Sequence, residues 1–330
     1  MWARRALTLP VLLLIASSWL VLLPVTLAAA AVADLVRGGP WPVLRCAAYL
    51  TLYLVSEVVG VLGAFALWLG SGVWAGAARA PYLRRNTALQ AAWATVLYRG
   101  AERLFALRTV VEGDDAILPG PILVFIRHVS QADTLLPVVY LTRRHGFALR
   151  FVLKSELLWD PCLDIVGHRL PNVFVQRGSG EGPREIAAVR RLMDDLGPRD
   201  GVVIYPEGTR FTPGKRLRAL AKLAAHTTPD LLARATRLTR VLPPHVGGPL
   251  GLLENNHGTD VILCAHTGFE AAGSPADLLG GALVGRTVRV RFWRIPHAEI
   301  PTSPEARATW LYAQWQRIDD WLNEVYPLSG

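Results

Sequence analysis

The sequence predicts an α/β domain behind an N-terminal hydrophobic helical hairpin. Three observations carry that reading. The first 78 residues hold two long apolar runs. Beyond residue 108, short apolar segments alternate with amphipathic ones, the pattern of strands and helices packed in layers. Pro and Gly mark the ends of many of the short apolar segments, as turns require.

The hairpin comes first in the chain. Arg4 and Arg5 precede an apolar run from Leu7 to about Val36, interrupted only by Ser, Thr and two prolines until Asp34. About 20 apolar residues cross a bilayer core, so this run is long enough. Its start also resembles a signal peptide, with Ala31-Val32-Ala33 as a cleavage site. The apolar core is longer than a usual signal core and a second apolar run follows, which favours retention as a membrane helix. Arg37-Gly38-Gly39-Pro40 is a compact turn. The second run goes from Val43 to about Trp74 and contains Arg45 and Glu57. Glu57 is either a functional carboxylate or a structural group, with Ser56 and Glu57 facing the partner helix or the helix lying shallow in the interface; the structural reading is preferred. Trp68 and Trp74 suit the headgroup layer. The hairpin (1–78) is either spanning or re-entrant. The arginines flanking its two ends, Arg4, Arg5, Arg79, Arg84 and Arg85, place the remainder (79–330) on the cytoplasmic face of a membrane.

Composition narrows the function. The 330 residues suffice for one large domain plus an anchor. The hydrophobic fraction is 52% and the mean hydropathy is positive, with the excess concentrated in the hairpin. The net charge is +9, yet no long Lys/Arg block or aromatic-interleaved basic stripe appears. That excludes nucleic acid as a partner. A basic domain beside apolar segments fits an anionic lipid surface and phosphate-bearing substrates. Cys46, Cys162 and Cys264 are too few and too scattered for a disulfide framework or a zinc site, and read as reduced core thiols.

Residues 83–107 form an amphipathic helix that lies either on the membrane surface or on the domain. Strands are expected at 109–111, 122–126, 149–153, 173–175, 202–205, 261–266 and 287–293. Helices are expected at 132–143, 183–196, 215–225 and 304–326. The Trp310, Trp315, Trp321 face of the last helix fits either core or an interface, so the oligomeric state is open.

Four stretches concentrate polar or turn residues near predicted strand ends, where α/β sheets place ligand sites. The first runs Ile126-Arg127-His128-Val129-Ser130-Gln131-Ala132-Asp133. Ser130 and Asp133 read as a capping box that starts a helix at Ser130. Residues five apart point roughly 140° apart on a continuous helix. A strand-to-helix corner instead lets Asp133 turn back to His128 and make it a tuned general base. The bland alternative is a capping Asp beside a loop His. The second stretch, Pro171 to Arg177, carries Arg177 at a strand end, either a phosphate fork or a plain surface arginine. The third, Tyr205-Pro206-Glu207-Gly208-Thr209-Arg210, follows a buried strand. There Arg210 can hold a phosphate, and Glu207 can accept from a hydroxyl or orient an arginine. The fourth, Val241-Leu242-Pro243-Pro244-His245-Val246-Gly247-Gly248, is a rigid loop suited to an acyl or acceptor site, or a plain connector.

In this order and spacing the four stretches resemble the motif blocks of the glycerolipid acyltransferase superfamily, which includes the 1-acyl-sn-glycerol-3-phosphate (lysophosphatidic acid) acyltransferases. The resemblance covers about 109–294, and the hairpin is similar to the family's membrane anchor. It implies a mixed sheet flanked by helices. It implies acyl transfer from a thioester on CoA or acyl carrier protein to the free hydroxyl of a lysophospholipid, most simply lysophosphatidic acid, with no metal or other cofactor. His128 would take the hydroxyl proton and Asp133 would orient it. Arg177, Glu207, Gly208, Thr209 and Arg210 would bind the acceptor, and Pro244 would shape the acyl-donor side. Lys154 and Lys215 are further candidates for phosphate. Direct attack without an acyl-enzyme fits the lack of a G-x-S-x-G elbow and of a cysteine beside His128 in sequence. The blocks also depart from the family pattern. Pro171 stands where Gly is usual, Gln176 replaces a common Asp, Tyr205 stands for Phe, and His245 for Arg. These departures bear on the acceptor headgroup more than on the chemistry. They also motivate the alternative of a lipid-binding or remodelling protein of the same fold without acyl transfer. A metal-dependent hydrolase is disfavoured, because His168, His226 and His257 show no ligand spacing.

Overall fold

The structure is a computed structural model that describes residues 1–71, 79–176 and 182–325. Two long helices open the chain, α1 (Trp2–Arg37) and α2 (Pro42–Gly70). Gly38 closes α1 at a φ of 66°, a conformation open to glycine at no steric cost. The Asp34 carboxylate then receives the Val43 and Leu44 N–H groups at 3.1 and 2.8 Å. It satisfies the orphan donors of α2 and complements the positive end of that helix.

The third helix, α3 (Arg79–Leu104), runs beside α2. Contact of α2 with the rest of the chain continues over most of its length. Arg45 bonds the Leu104 carbonyl. The Tyr49 ring meets Phe105 edge-on at 5.7 Å. Glu57, fully buried, accepts from Trp93 Nε1 at 3.1 Å and from the Cys162 N–H at 3.3 Å. Arg169 donates to the Ala64 carbonyl at 2.7 Å. Glu57 therefore faces the domain and not the partner helix α1, the first of the two structural readings, because the domain supplies the two donors a buried carboxylate needs. A Cβ on Gly60 would lie 2.6 Å from Cys162 Sγ, so a side-chain-free residue permits this close approach.

Seven strands form one sheet: β1 (Arg108–Glu112), β2 (Ile122–Ile126), β3 (Ala148–Lys154), β4 (Val173–Val175), β5 (Asp200–Ile204), β6 (Asp260–Thr267) and β7 (Thr287–Ile295). Their order is β1-β7-β6-β2-β5-β3-β4. Every pairing is parallel except β6 with β7, so the sheet is mixed. β2 lies near its middle and all five of its residues are buried, as its unbroken apolar run requires. Ile122, Val124 and Ile126 pack with α3 on one face. Leu123 and Phe125 pack on the other. The shorter helices α4 (Pro161–Gly167), α5 (Pro183–Arg190), α6 (Pro213–Ala224), α7 (Pro229–Arg237), α8 (Gly247–Glu254) and α9 (Pro275–Leu279) lie between strands, and α10 (Pro304–Val325) ends the fold.

The predicted strands match the observed ones to within two residues. The helix expected at 132–143 does not form. Its place is taken by a 3-10 turn, Ala132–Leu135, and a π-helical segment, Val138–Arg144. Pro137 stands between them, and with no N–H to give it breaks the α-helical ladder. The helix expected over 183–196 gives way after Arg190 to a 3-10 turn, Arg191–Met193. α2 stops at Gly70, short of Trp74, which lies outside the described residues. Trp315 and Trp321 on α10 are buried core residues. α3 buries Ala91, Ala94, Leu97 and Tyr98 against the domain. The three cysteines are free, with Cys162 and Cys264 buried.

Candidate active site

β2 delivers His128 to the carboxyl end of the sheet, between β5 and β6, where open α/β sheets hold their ligands. His128 Nδ1 lies 2.9 Å from Asp133 Oδ1. The other Asp133 oxygen accepts the Val129 and Ser130 N–H groups at 2.7 and 2.8 Å. Half of the expected capping box is present. The other half is not, because Ser130 Oγ accepts from the Ala132 N–H at 3.2 Å instead. Asp133 is fully buried, and burial by itself pushes its pKa up. The bond from His128, the imidazoles of His266 and His128 and the Ser130 N–H outweigh burial and hold it below the usual carboxylate value. The carboxylate therefore fixes the imidazole with its Nε2 facing away from Asp133. His128 keeps 13% of its side chain accessible.

Glu207 is placed in the interior beside His128. It is 1% exposed. Oε1 accepts the His128 N–H at 2.9 Å and Oε2 the Leu242 N–H, also at 2.9 Å. Each oxygen accepts one backbone N–H, so Glu207 ties the third block to the first and the fourth. Burial pushes its pKa up to about 7, against the pull of Arg127 and of the two N–H groups. Gly208 takes a φ of 62°, and a Cβ there would meet the His245 ring at 3.0 Å. Lys215 Nζ bonds Thr209 Oγ1 and the Arg210 carbonyl, both at 3.1 Å, so its charge braces the third loop. Arg210 is half-buried and lines the cavity described below. Pro244 is buried, and the following His245 N–H bonds the Pro206 carbonyl at 2.8 Å. Lys154 closes β3. Arg177 lies outside the described residues.

A second layer backs the pair. Arg127 is 2% exposed. It donates to the His266 carbonyl at 2.6 Å, to Glu270 at 2.5 Å and to the Arg240 carbonyl at 2.9 Å. His266 Nε2 donates to the Arg127 carbonyl at 2.8 Å and lies 3.6 Å from Asp133 Oδ2. Asp319, from α10, receives the Thr239, Arg240 and Val241 N–H groups at 3.0, 2.5 and 3.2 Å and so fixes the lead into the fourth block. Sequence reasoning named none of these as site residues. The available signals were an Arg at the end of one wholly apolar strand and a His near the end of another.

Beneath Ser130, Gln131 and Leu135 opens a cavity of about 420 Å³. Leu97 and Phe105 line one part of it, and Tyr49 and Tyr53 of α2 close another, with Tyr205 and Arg210 at the His128 end. The Tyr205 ring lies 5.0 Å from that of His128. The cavity is apolar along most of its wall and polar beside His128, which suits an amphiphile with a long tail. Among the described residues no group of three or more His, Cys, Asp or Glu is placed to hold a metal ion.

Comparison with known proteins returns one family model, Acyltransferase, over residues 108–231. No curated protein matches the chain. Among solved structures the chain is similar to the crystal structure of the 1-acyl-sn-glycerophosphate (LPA) acyltransferase PlsC from Thermotoga maritima. The identity is 16% and the TM-score 0.44, with 82% of this chain and 98% of that one covered. The segment that matches the Acyltransferase model contains His128, Asp133, Glu207 and Arg210, and in its motif blocks the chain resembles the glycerolipid acyltransferases.

Proposed function

We propose that the protein transfers a fatty acyl group from a thioester, on CoA or acyl carrier protein, to the free hydroxyl of a lysophospholipid, lysophosphatidic acid being the simplest acceptor. The observation that carries this reading is the His128–Asp133 pair and, beside it, an apolar cavity lined by its neighbours Ser130 and Tyr205 and by Arg210. With Asp133 on Nδ1, His128 Nε2 is the basic nitrogen. It would take the proton as the acceptor oxygen attacks the thioester carbon. The C–S bond would then break and the same proton pass to the leaving thiolate, so no acyl-enzyme is formed. Arg210 lines the polar end of the cavity and would hold the acceptor phosphate. The apolar walls would take an acyl chain.

The two apolar helices support attachment to a membrane. Their outward residues, among them Leu14, Val21, Val25, Val59 and Leu62, are more than half exposed. Because α2 has the domain against one side over most of its length, a re-entrant or in-plane placement fits better than a helix ringed by lipid across a whole bilayer. The flanking arginines favour the cytoplasmic leaflet.

Acyl transfer in detergent micelles tests the reading. Acyl-CoA and acyl carrier protein thioesters would be offered with a panel of lysophospholipids. Turnover with lysophosphatidic acid is expected in the native protein and loss of it in His128→Ala. Turnover only with another headgroup would keep the mechanism and change the acceptor. Full activity in the variant would remove His128 from the mechanism. No turnover from folded protein would favour a lipid-binding role.

A further inference from the structure

A second cavity lies outside the proposed acyltransferase site. It is an open groove of about 720 Å³ between the first half of α3 and the amino ends of β3 and β5, a size typical of small-ligand sites. α3 is the partition between the two cavities. It turns Leu89, Trp93 and Leu97 to the catalytic cavity and Leu83, Ala88, Ala92 and Val96 to the groove. Phe147 and Leu170 complete the apolar lining.

Charge enters the groove in two ways. Arg150 and Asp200 are spent on structure. Asp200 receives the Gly197 N–H at 3.0 Å and lies 3.4 Å from Arg150, whose other donors serve the Leu192, Asp194 and Asp195 carbonyls. Arg84 and Arg143 are exposed and bond no other described residue. The uncommitted rim charges are thus both positive, over an apolar bed. Position adds to this. The groove lies beside the start of α3, at the end of the hairpin where α2 stops, and Arg4 and Arg5 of α1 dock on α4 at that same end. Arg79 and Arg85 are exposed beside it. Cations at the edge of an apolar layer occupy the level of lipid phosphates.

We infer that this groove binds an anionic phospholipid, its phosphate on Arg84 and Arg143 and an acyl chain along Ala88, Ala92 and Val96. The site is separate from the one that would perform acyl transfer. It rests on the membrane attachment proposed above but not on the chemistry assigned to His128. The charge pattern sets the occupant. A peptide strand would need free backbone partners, whereas α3 uses its own; an anion with an apolar body needs what the groove has.

The test uses the full chain in vesicles of phosphatidylcholine, with and without phosphatidylglycerol. The probe is a phosphatidylglycerol carrying a tail diazirine, and its adducts are mapped by peptide. Labelling within 80–96 is expected in the native protein. Ala92→Trp, which fills the groove from an exposed position, should abolish it. The pair Arg84→Glu and Arg143→Glu should reduce it several-fold. His128→Ala should label normally, which separates this site from the catalytic one. Thermal midpoints in detergent control for folding. Labelling confined to α1 and α2, or unchanged in Ala92→Trp, would overturn the site. Equal labelling by the matching phosphatidylcholine probe would overturn its preference for anions. Absence of label together with a stable dimer would assign the face to a second copy of the chain.

Discussion

Glu207 holds His128 by its backbone: the carboxylate accepts the His128 N–H at 2.9 Å while its other oxygen accepts that of Leu242. Two loops separated by more than 70 residues are thereby locked to a third. The imidazole is then aimed from two directions, by Glu207 through the main chain and by Asp133 through the ring.

The ring contact gives the first prediction. In Asp133→Asn the amide oxygen can still serve Val129 and Ser130, but the NH₂ group then faces His128 Nδ1. The imidazole would move its proton to Nε2 and lose its basic nitrogen. Activity should fall by about 10²- to 10⁴-fold with little change in thermal midpoint. An unchanged rate constant across the pH range would remove Asp133 from the mechanism.

Glu207 gives the second. Its pKa is pushed up to about 7 in the folded protein, against about 4.3 in an unfolded chain. The native state keeps a proton that the unfolded chain releases, so this group's contribution to stability weakens as pH rises from about 4.3 to 7. The span corresponds to about 4 kcal/mol. Glu207→Gln should be less stable at pH 5, since one N–H loses its acceptor, and flatter in stability across that window. Denaturation midpoints at several pH values decide this.

A third concerns the clasp between hairpin and domain. Arg4 and Arg5 meet the buried Asp164 carboxylate at 2.6 and 2.9 Å. Replacing both arginines with Ala leaves that carboxylate with only the His168 imidazole, at 3.0 Å, at a cost of about 3 kcal/mol. Hydrogen exchange should rise first at the start of α1 and in α4. Replacing Asp164 by Asn as well should recover part of the loss.

A fourth is steric. Gly113 has a φ of 71°, and a Cβ there would lie 2.1 Å from the Phe292 carbonyl oxygen. Gly113→Ala should destabilise by more than about 1 kcal/mol, visible as a lowered midpoint at unchanged acyl-chain preference.

A fifth concerns the cavity. Ala94 is 1% exposed and lines it. Ala94→Leu removes volume from a space of about 420 Å³, and donor preference should shift toward shorter acyl chains. The rate with the shortest donors should be little changed.

The strands were legible because apolar runs between turn residues have few other readings in a chain of this kind. β2 is the clearest case. The corner after it was legible in outline, since His128 and Asp133 meet as the strand-to-helix argument requires. What followed was not. Pro137 was in plain view, but the period of the apolar residues around it argued for a continuous helix. The bracing by Glu207 was hidden for a different reason. A carboxylate in a polar loop looks like a ligand group, and only the fold shows that Leu242 and His128 bring their N–H groups to it. Arg127 and His266 were hidden in the same way, because burial of a charge cannot be read from the residue type. Four short helices escaped, each of nine residues or fewer, too short to establish a period.

α2 is also a wall. Tyr49 and Tyr53 close part of the cavity beside His128, and Glu57 holds Trp93. Shortening the gene to begin at α3, the usual route to a water-soluble fragment, would therefore strip that side from the cavity and leave Trp93 without its acceptor. The fragment would be expected to aggregate or to hydrolyse its donor wastefully. Material for biochemistry is better obtained by keeping residues 1–71 and choosing the detergent.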